Sequence, residues 1–271
     1  MRGAEGVGGV ADYAEVMSAM SLRMSGPAFL QVRTLAVSAS VRSNASVLAR
    51  YLRAAAPTTV LLDADAHGGA LDIDGWQQSM HRMWWAAPAS WRDDWTDTSG
   101  HAVVSVVRDD AALVYTSGLQ QMYTSEPPTP ADEWMTIPPP RGIVLLPTVE
   151  RRIAEFPLLR PPSTTDVWVV TDEGPGEHLG RACRYARAAR RPDAPHPRDG
   201  EGAAFWVGAD AYECLLDDEL GIALQLRTMI GGRMAQEYVA DEVRVDASIT
   251  PELFAFRPPS GTRVAHVVWR A

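Results

Sequence analysis

The chain has 271 residues, of which 22% are charged and 46% hydrophobic, with a formal net charge of −9 and a pI near 5.2. These are the proportions of a globular protein, and the acidic balance excludes general nucleic-acid binding and a basic membrane-surface patch. Two cysteines, Cys183 and Cys214, are too few for a disulfide framework or a zinc site, and no stretch reaches the roughly 18 apolar residues of a membrane span.

Every basic residue is Arg. Nine Trp and ten Met serve either as core filling or as the lining of an adaptable apolar cavity. The N-terminus lacks the basic start and compact apolar run of a secretory signal, so the expected location is the cytoplasm.

Residues 1–44 are rich in Gly, Ala, Ser and Met and read as a poorly packed leader, within which Phe29 to Val41 carries a weak pattern for one short strand or helix. Asn44 to Ala56 is the clearest helix. Asn44 or Ser46 caps it, Val47, Leu48, Tyr51, Leu52 and Ala55 form one apolar face, and Pro57 ends it. Thr58 to Ala66 is a strand candidate, and turn signals follow at His67-Gly-Gly and Asp72 to Gly75. Trp76 to Trp85 reads as a strand with Trp76, Gln78, Met80, Arg82 and Trp84 on one side. Strands follow from Trp91, from His101 to Arg108 and from Ala111 to Thr116, about ten residues between turns, the rhythm of an antiparallel meander.

From Ser117 to Arg141 the chain is polar and proline-rich, with Glu126-Pro-Pro-Thr-Pro130 and Ile137-Pro-Pro-Pro140. It reads as one long loop, either a lid anchored by Trp134, Met135 and Ile137 or a flexible surface excursion. Thr148 caps a short helix that carries Val149, Ile153 and Phe156 on one face. A strand is expected at Asp166–Val170, a turn at Glu173–His178 and a strand from Gly180 to Arg190. A strand meander then begins near Trp206 and closes in a Pro-Gly-rich tail. Cys183 and Cys214 fall on neighbouring strands, a few residues apart in register, and read as reduced structural thiols.

The order lacks a βαβ rhythm. It predicts a mainly β (α+β) fold, a strongly curved antiparallel sheet that forms an unclosed barrel covered by a few helices. The expected organisation is the leader 1–44 and one domain over 45–271.

No phosphate-binding glycine loop and no Gly-x-Ser-x-Gly elbow is present. The six His are scattered without metal-ligand spacing, so no metal and no cofactor is expected. The Asp pairs at 93–94, 109–110 and 217–218 read as solvated punctuation or as neighbours on opposite strand faces. Arg187–Arg191 reads as a solubilising hairpin end, or as an anion or headgroup contact.

Four segments resemble the C-terminal half of the bacterial lipoprotein-carrier (LolA-like) superfamily, which includes RseB-type and LppX-type proteins. They are Gly180-Arg-Ala-Cys-Arg-Tyr185, Tyr212 to Leu224, the Gly231-Gly232 turn, and the tail Leu253-Phe-Ala-Phe-Arg-Pro-Pro-Ser-Gly-Thr-Arg-Val264. Upstream, Trp84-Trp-Ala-Ala-Pro-Ala-Ser-Trp-Arg92 resembles the family's strand, Pro, then Arg pattern. The likeness covers about residues 46–264. It implies a half-barrel that binds acyl chains or other lipids without catalysis, while the leader and the missing export signal depart from the family.

The expected activity is therefore non-catalytic carriage of a hydrophobic ligand, lined by Trp84, Trp91, Trp95, Tyr115, Trp134, Met135 and Phe156. The expected partner is a lipid or other hydrophobic molecule. One rival is an RseB-type regulatory module that engages a protein partner through the proline-rich loop. Another is a cavity enzyme drawing on His81, Arg82 or Tyr115.

Overall fold

In the computed structural model, the described residues are 32–44, 46–47, 75–87, 90–108, 111–125, 135–137, 156–159, 168–192 and 209–267. They form thirteen strands: β1 (Thr34–Asn44), β2 (Trp76–Ala86), β3 (Ser90–Asp97), β4 (Ala102–Arg108), β5 (Ala111–Thr116), β6 (Gln121–Thr124), β7 (Met135–Ile137), β8 (Trp168–His178), β9 (Arg181–Arg190), β10 (Ala211–Asp217), β11 (Ala223–Ile230), β12 (Arg233–Val245) and β13 (Arg263–His266). Their order is β7-β13-β6-β5-β4-β3-β2-β1-β12-β11-β10-β9-β8. The sheet has two ends, so it is unclosed, and the mainly β class expected from the sequence is the one the chain adopts. β13 pairs in parallel with β6 and β7.

The leader boundary needs correction. Thr34–Asn44 lies in the middle of the strand order, paired along its length with β2 from Thr34↔Ala86 to Asn44↔Trp76. Leu35, Val37, Ala39 and Val41 alternate along it and are all buried. Each buried Leu or Val contributes roughly 1.5–3 kcal/mol, so this is core. The Ala and Ser between them dilute the apolar signal that a strand normally gives. The helix expected after it is described only at Ser46 and Val47, which are helical, and Ser46 Oγ lies 2.8 Å from Asn44 Oδ1. The rest of that helix, the strand expected at Thr58–Ala66 and the helix expected after Thr148 lie outside the described residues.

Two further expectations change. The segment 117–141 is not one loop. Ser117 to Gln120 is a tight turn, after which Gln121–Thr124 pairs with β5 and Met135–Ile137 pairs with β13. Both strands use proline-free pieces of the segment. Glu173–His178 is strand rather than turn: β8 passes through a bulge at Asp172/Gly174 and stays paired to His178↔Arg181. The reversal comes at Leu179 and Gly180, with φ of 54° and 69°, the left-handed pair of a type I′ hairpin. Pro175 is tolerated because β8 is an edge strand, where a missing N–H costs the ladder nothing on the open side.

The chain packs as two compact units. One holds β8–β11 and β12 as far as Val239; the other holds β1–β7, β12 from Ala240 onward, and β13. In the first unit Tyr212, Leu216, Leu224 and Leu226 are fully buried, and Trp168 meets Tyr212 edge-on at 4.9 Å. The Pro157–Leu159 3-10 turn packs on β11. Cys183 lies opposite Asp217 and Cys214 opposite Ala186, three residues of register apart, and both are free and buried. Burial pushes both thiols up, with Asp217 adding to the effect at Cys183.

The aspartate pairs are more than punctuation. Asp217 is buried; its Oδ1 accepts the Glu219 and Leu220 N–H groups that turn β10 into β11, and its carboxylate pairs with Arg181. Asp93 is buried too, and the neighbouring Asp94 faces the other way, as strand alternation requires. The pair at 109–110 lies outside the described residues.

Candidate functional site

In the second unit, strand pairing sorts side chains between two faces. Registers Trp84↔Arg92↔Val106↔Leu113 and Asp94↔Val104↔Tyr115↔Met122 place these residues on one face. Val104, Val106, Tyr115 and Met122 are buried there together with Phe254 and Val264, and Trp84, Leu113, Ile249 and Phe256 pack against them. The segment from Ile249 to Arg257 thus crosses this face as a strap. The strap contains a 3-10 turn, Pro251–Phe254, in which Pro occupies the first turn where its missing N–H is harmless.

Arg92 pins the strap. Its Nε and Nη2 each donate to the Asp94 carboxylate at 2.8 Å, and Nη1 donates to the Leu253 carbonyl at 2.8 Å. Its guanidinium carbon is 5.7 Å from the ring centroids of both Trp84 and Phe256. The Phe256 ring in turn lies 5.3 Å from that of Tyr115. A planar, bidentate, always charged group suits this place, because it satisfies a carboxylate and a carbonyl while stacking on apolar rings.

Beside this cluster the strap leaves an open groove of about 310 Å3, bounded by Val106, Leu113, Thr124, Phe254 and Phe256, with Arg108 and Arg257 also lining it. The volume is at the small end for ligand sites, and the lining is mixed, with Arg108, Thr124 and Arg257 beside the apolar side chains.

The opposite face carries Trp85↔Trp91↔Val107 and Met83↔Asp93↔Ser105. Trp91 is fully buried and its indole N–H donates to Asp93 Oδ2 at 2.7 Å, while His81 Nε2 lies 3.6 Å from Asp93 Oδ1. Trp95 is on this face as well, opposite His81.

The structure therefore divides the residues expected to line one cavity. Trp84 and Tyr115 share the strap face; Trp91 and Trp95 lie on the other, so these four do not form a single wall. This is a correction with a simple cause: Trp84 and Trp91 occupy neighbouring register rows, one residue apart, and a one-residue step changes face. Phe156 is buried in the other compact unit, next to the turn that packs on β11. Met135 belongs to β7, but its side chain and all of Trp134 lie outside the described residues.

The residues named for an enzymatic rival are also split. Tyr115 and Arg82 are on the strap face and His81 on the other. Arg82 Nε donates to Met80 Sδ at 3.1 Å. Among the described residues no group of His, Cys, Asp and Glu has metal-site geometry, and no helix is long and apolar enough to cross a membrane.

Sequence reasoning missed Arg92, Arg108, Phe254, Phe256 and Arg257 as site residues. The signal available was the Phe-x-Phe spacing of the tail, which puts two rings on the same side of an extended segment.

No protein-family model matches the chain, and no curated protein matches it significantly. Among solved structures it is similar to an uncharacterized conserved protein from Thermus thermophilus, at 8% identity and TM-score 0.46, over 94% of this chain and 99% of that one. It is similar to MucB at 10% identity and TM-score 0.47, over 89% of this chain but 62% of MucB, so the chain spans less than two thirds of that protein's length. It is also similar to a domain from Vibrio parahaemolyticus assigned to outer membrane lipoprotein sorting, at 7% identity and TM-score 0.31, over 89% and 95% of the two chains. Overlaps of this order carry no inference about ligand, partner or reaction.

Proposed function

We propose that the protein binds a hydrophobic ligand, a lipid or acyl chain, without catalysis, in the groove between the strap and strands β4–β6. The observation that carries this reading is the groove itself, where Phe254 and Phe256 face Val106 and Leu113 and leave about 310 Å3 unfilled. Each methylene that moves from water into the groove contributes about 0.8 kcal/mol, so a chain of several carbons binds without any covalent step. Trp84 and Tyr115 support the groove through Phe256 rather than lining it.

The test is direct. Protein purified from its source is extracted with organic solvent and the extract analysed by mass spectrometry, and delipidated protein is titrated with fatty acids while the melting temperature is followed. A co-purifying lipid, a rise in melting temperature and loss of that rise in Leu113→Trp, which fills the groove, are expected. Absence of both lipid and thermal shift overturns the proposal.

A further inference from the structure

We infer that the strap is a gate for the groove and that Arg92 is its latch: the strap lifts from the sheet to admit a ligand, and the Arg92–Leu253 hydrogen bond sets how often it does so. The inference rests on the binding reading above and adds to it the control of entry.

The hydrogen bonds of the strap single out one place. Both of its flanks are tied to strands. On the N-terminal side, the Asp246 N–H donates to the Thr34 carbonyl at 2.9 Å and the Thr34 hydroxyl to the Ala247 carbonyl at 2.7 Å. On the C-terminal side, the Arg263 N–H donates to the Gln120 carbonyl at 2.8 Å as β13 begins. Between these ties the backbone bonds close on the strap itself, from the Leu253 N–H to the Thr250 carbonyl at 3.1 Å and from the Ala255 N–H to the Glu252 carbonyl at 3.0 Å. Among the described residues, one hydrogen bond joins Ile249–Arg257 to the sheet, from Arg92 Nη1 to the Leu253 carbonyl at 2.8 Å. A segment that satisfies its own donors and is held by one polar tie opens locally while the ladder beneath it stays intact. Thr250, Glu252, Ala255 and Arg257 are exposed, whereas Phe254 is buried and Phe256 half-buried, so the two rings are what draws the strap back. Phe254 to Arg257 also form one wall of the groove, so the groove opens when the strap moves. Arg92 is not among the residues that bound the groove, and a ligand filling it leaves the latch in place. The latch therefore closes over the empty and the filled groove alike.

The full chain, delipidated, is mixed by stopped flow with N-phenyl-1-naphthylamine, a neutral dye that fluoresces in apolar surroundings. For a gated groove the observed binding rate levels off at high dye concentration, at the opening rate of the strap. The Arg92→Met side chain still occupies the space between the Trp84 and Phe256 rings but cannot donate to Leu253. In that variant the plateau and the dissociation rate are expected to rise together by about tenfold or more, the effect of losing a hydrogen bond from a charged donor. Affinity then changes far less than either rate. A residue that only props the groove would instead weaken binding through dissociation alone. Arg92→Lys, which keeps a cation beside Asp94, is the second variant and should give an intermediate rise; melting temperatures confirm that both are folded. A binding rate that never levels off, or a plateau that neither variant raises, overturns the gate and leaves the groove reading intact. Dye that does not bind, or that binds Leu113→Trp as well as the parent protein, overturns the two together.

Discussion

At the scale of single residues, Arg92 is where the site is built. It joins β3 to the strap through the Leu253 carbonyl and fills the space between the Trp84 and Phe256 rings. Arg92→Ala leaves the Asp94 carboxylate without its fork and the strap without its anchor. A loss of about 2–3 kcal/mol is expected in urea denaturation. Arg92→Lys is expected to restore only part of it, because an ammonium lacks the fork and the flat face. Asp97 supplies a pH test. Burial pushes its carboxyl up, but the Ser99 hydroxyl, the His101 and Ser99 backbone N–H groups and His101 itself outweigh that and hold it below the ordinary carboxylate value. A lowered folded pKa means that the ionised form is favoured by folding. Its contribution is present above the ordinary value of about 3.9 and is lost as pH falls through the depressed folded value. Asp97→Ala should therefore cost about 1–2 kcal/mol at neutral pH, with the gap to the parent protein closing below about pH 4. A gap that stays constant with pH would refute this.

At the scale of elements, the β8–β9 hairpin shows how an edge is finished. Gly176 lies under the ring of Tyr185. A Cβ there would come within 2.7 Å of that ring and 2.9 Å of Leu215 Cδ1. Tyr185 is nearly half exposed, so it covers the glycine rather than a core. Gly176→Ala is expected to destabilise by about 1–3 kcal/mol through overpacking. Adding Tyr185→Ala removes the ring clash but leaves the contact with the buried Leu215, so it should lower the cost of the glycine substitution without abolishing it, a non-additivity that chemical denaturation of the double-mutant cycle reads out. The strap is the other decisive element. Its sequence looks like a terminal tail, yet Phe254 is buried in the same cluster as Val104, Val106 and Tyr115.

At the scale of the molecule, strand order sets where stability resides. β1 has neighbours on both sides, β2 and β12, whereas β8 ends the sheet. Amides that must break a doubly flanked ladder before meeting water exchange last. Hydrogen exchange should therefore find Leu35–Val41 among the slowest amides and alternate amides of β8 among the fastest. Early exchange throughout β1 would contradict its central place.

Much of this fold was legible in residue order alone. The meander from Trp76 to Thr116, the β10–β12 run and the separation of Cys183 from Cys214 follow from alternation and turn residues, because strand patterning is local. Composition also narrowed the expectations for function, by arguing against basic surfaces, disulfide scaffolds and long apolar spans. Three things needed the tertiary structure. Thr34–Asn44 became core only through partners more than thirty residues away in sequence. Trp84 parted from Trp91 because register fixes facing and turn geometry fixes register. The groove exists only because Phe254 and Phe256 return across strands formed some 140 residues earlier, and no local pattern specifies where a returning segment lands.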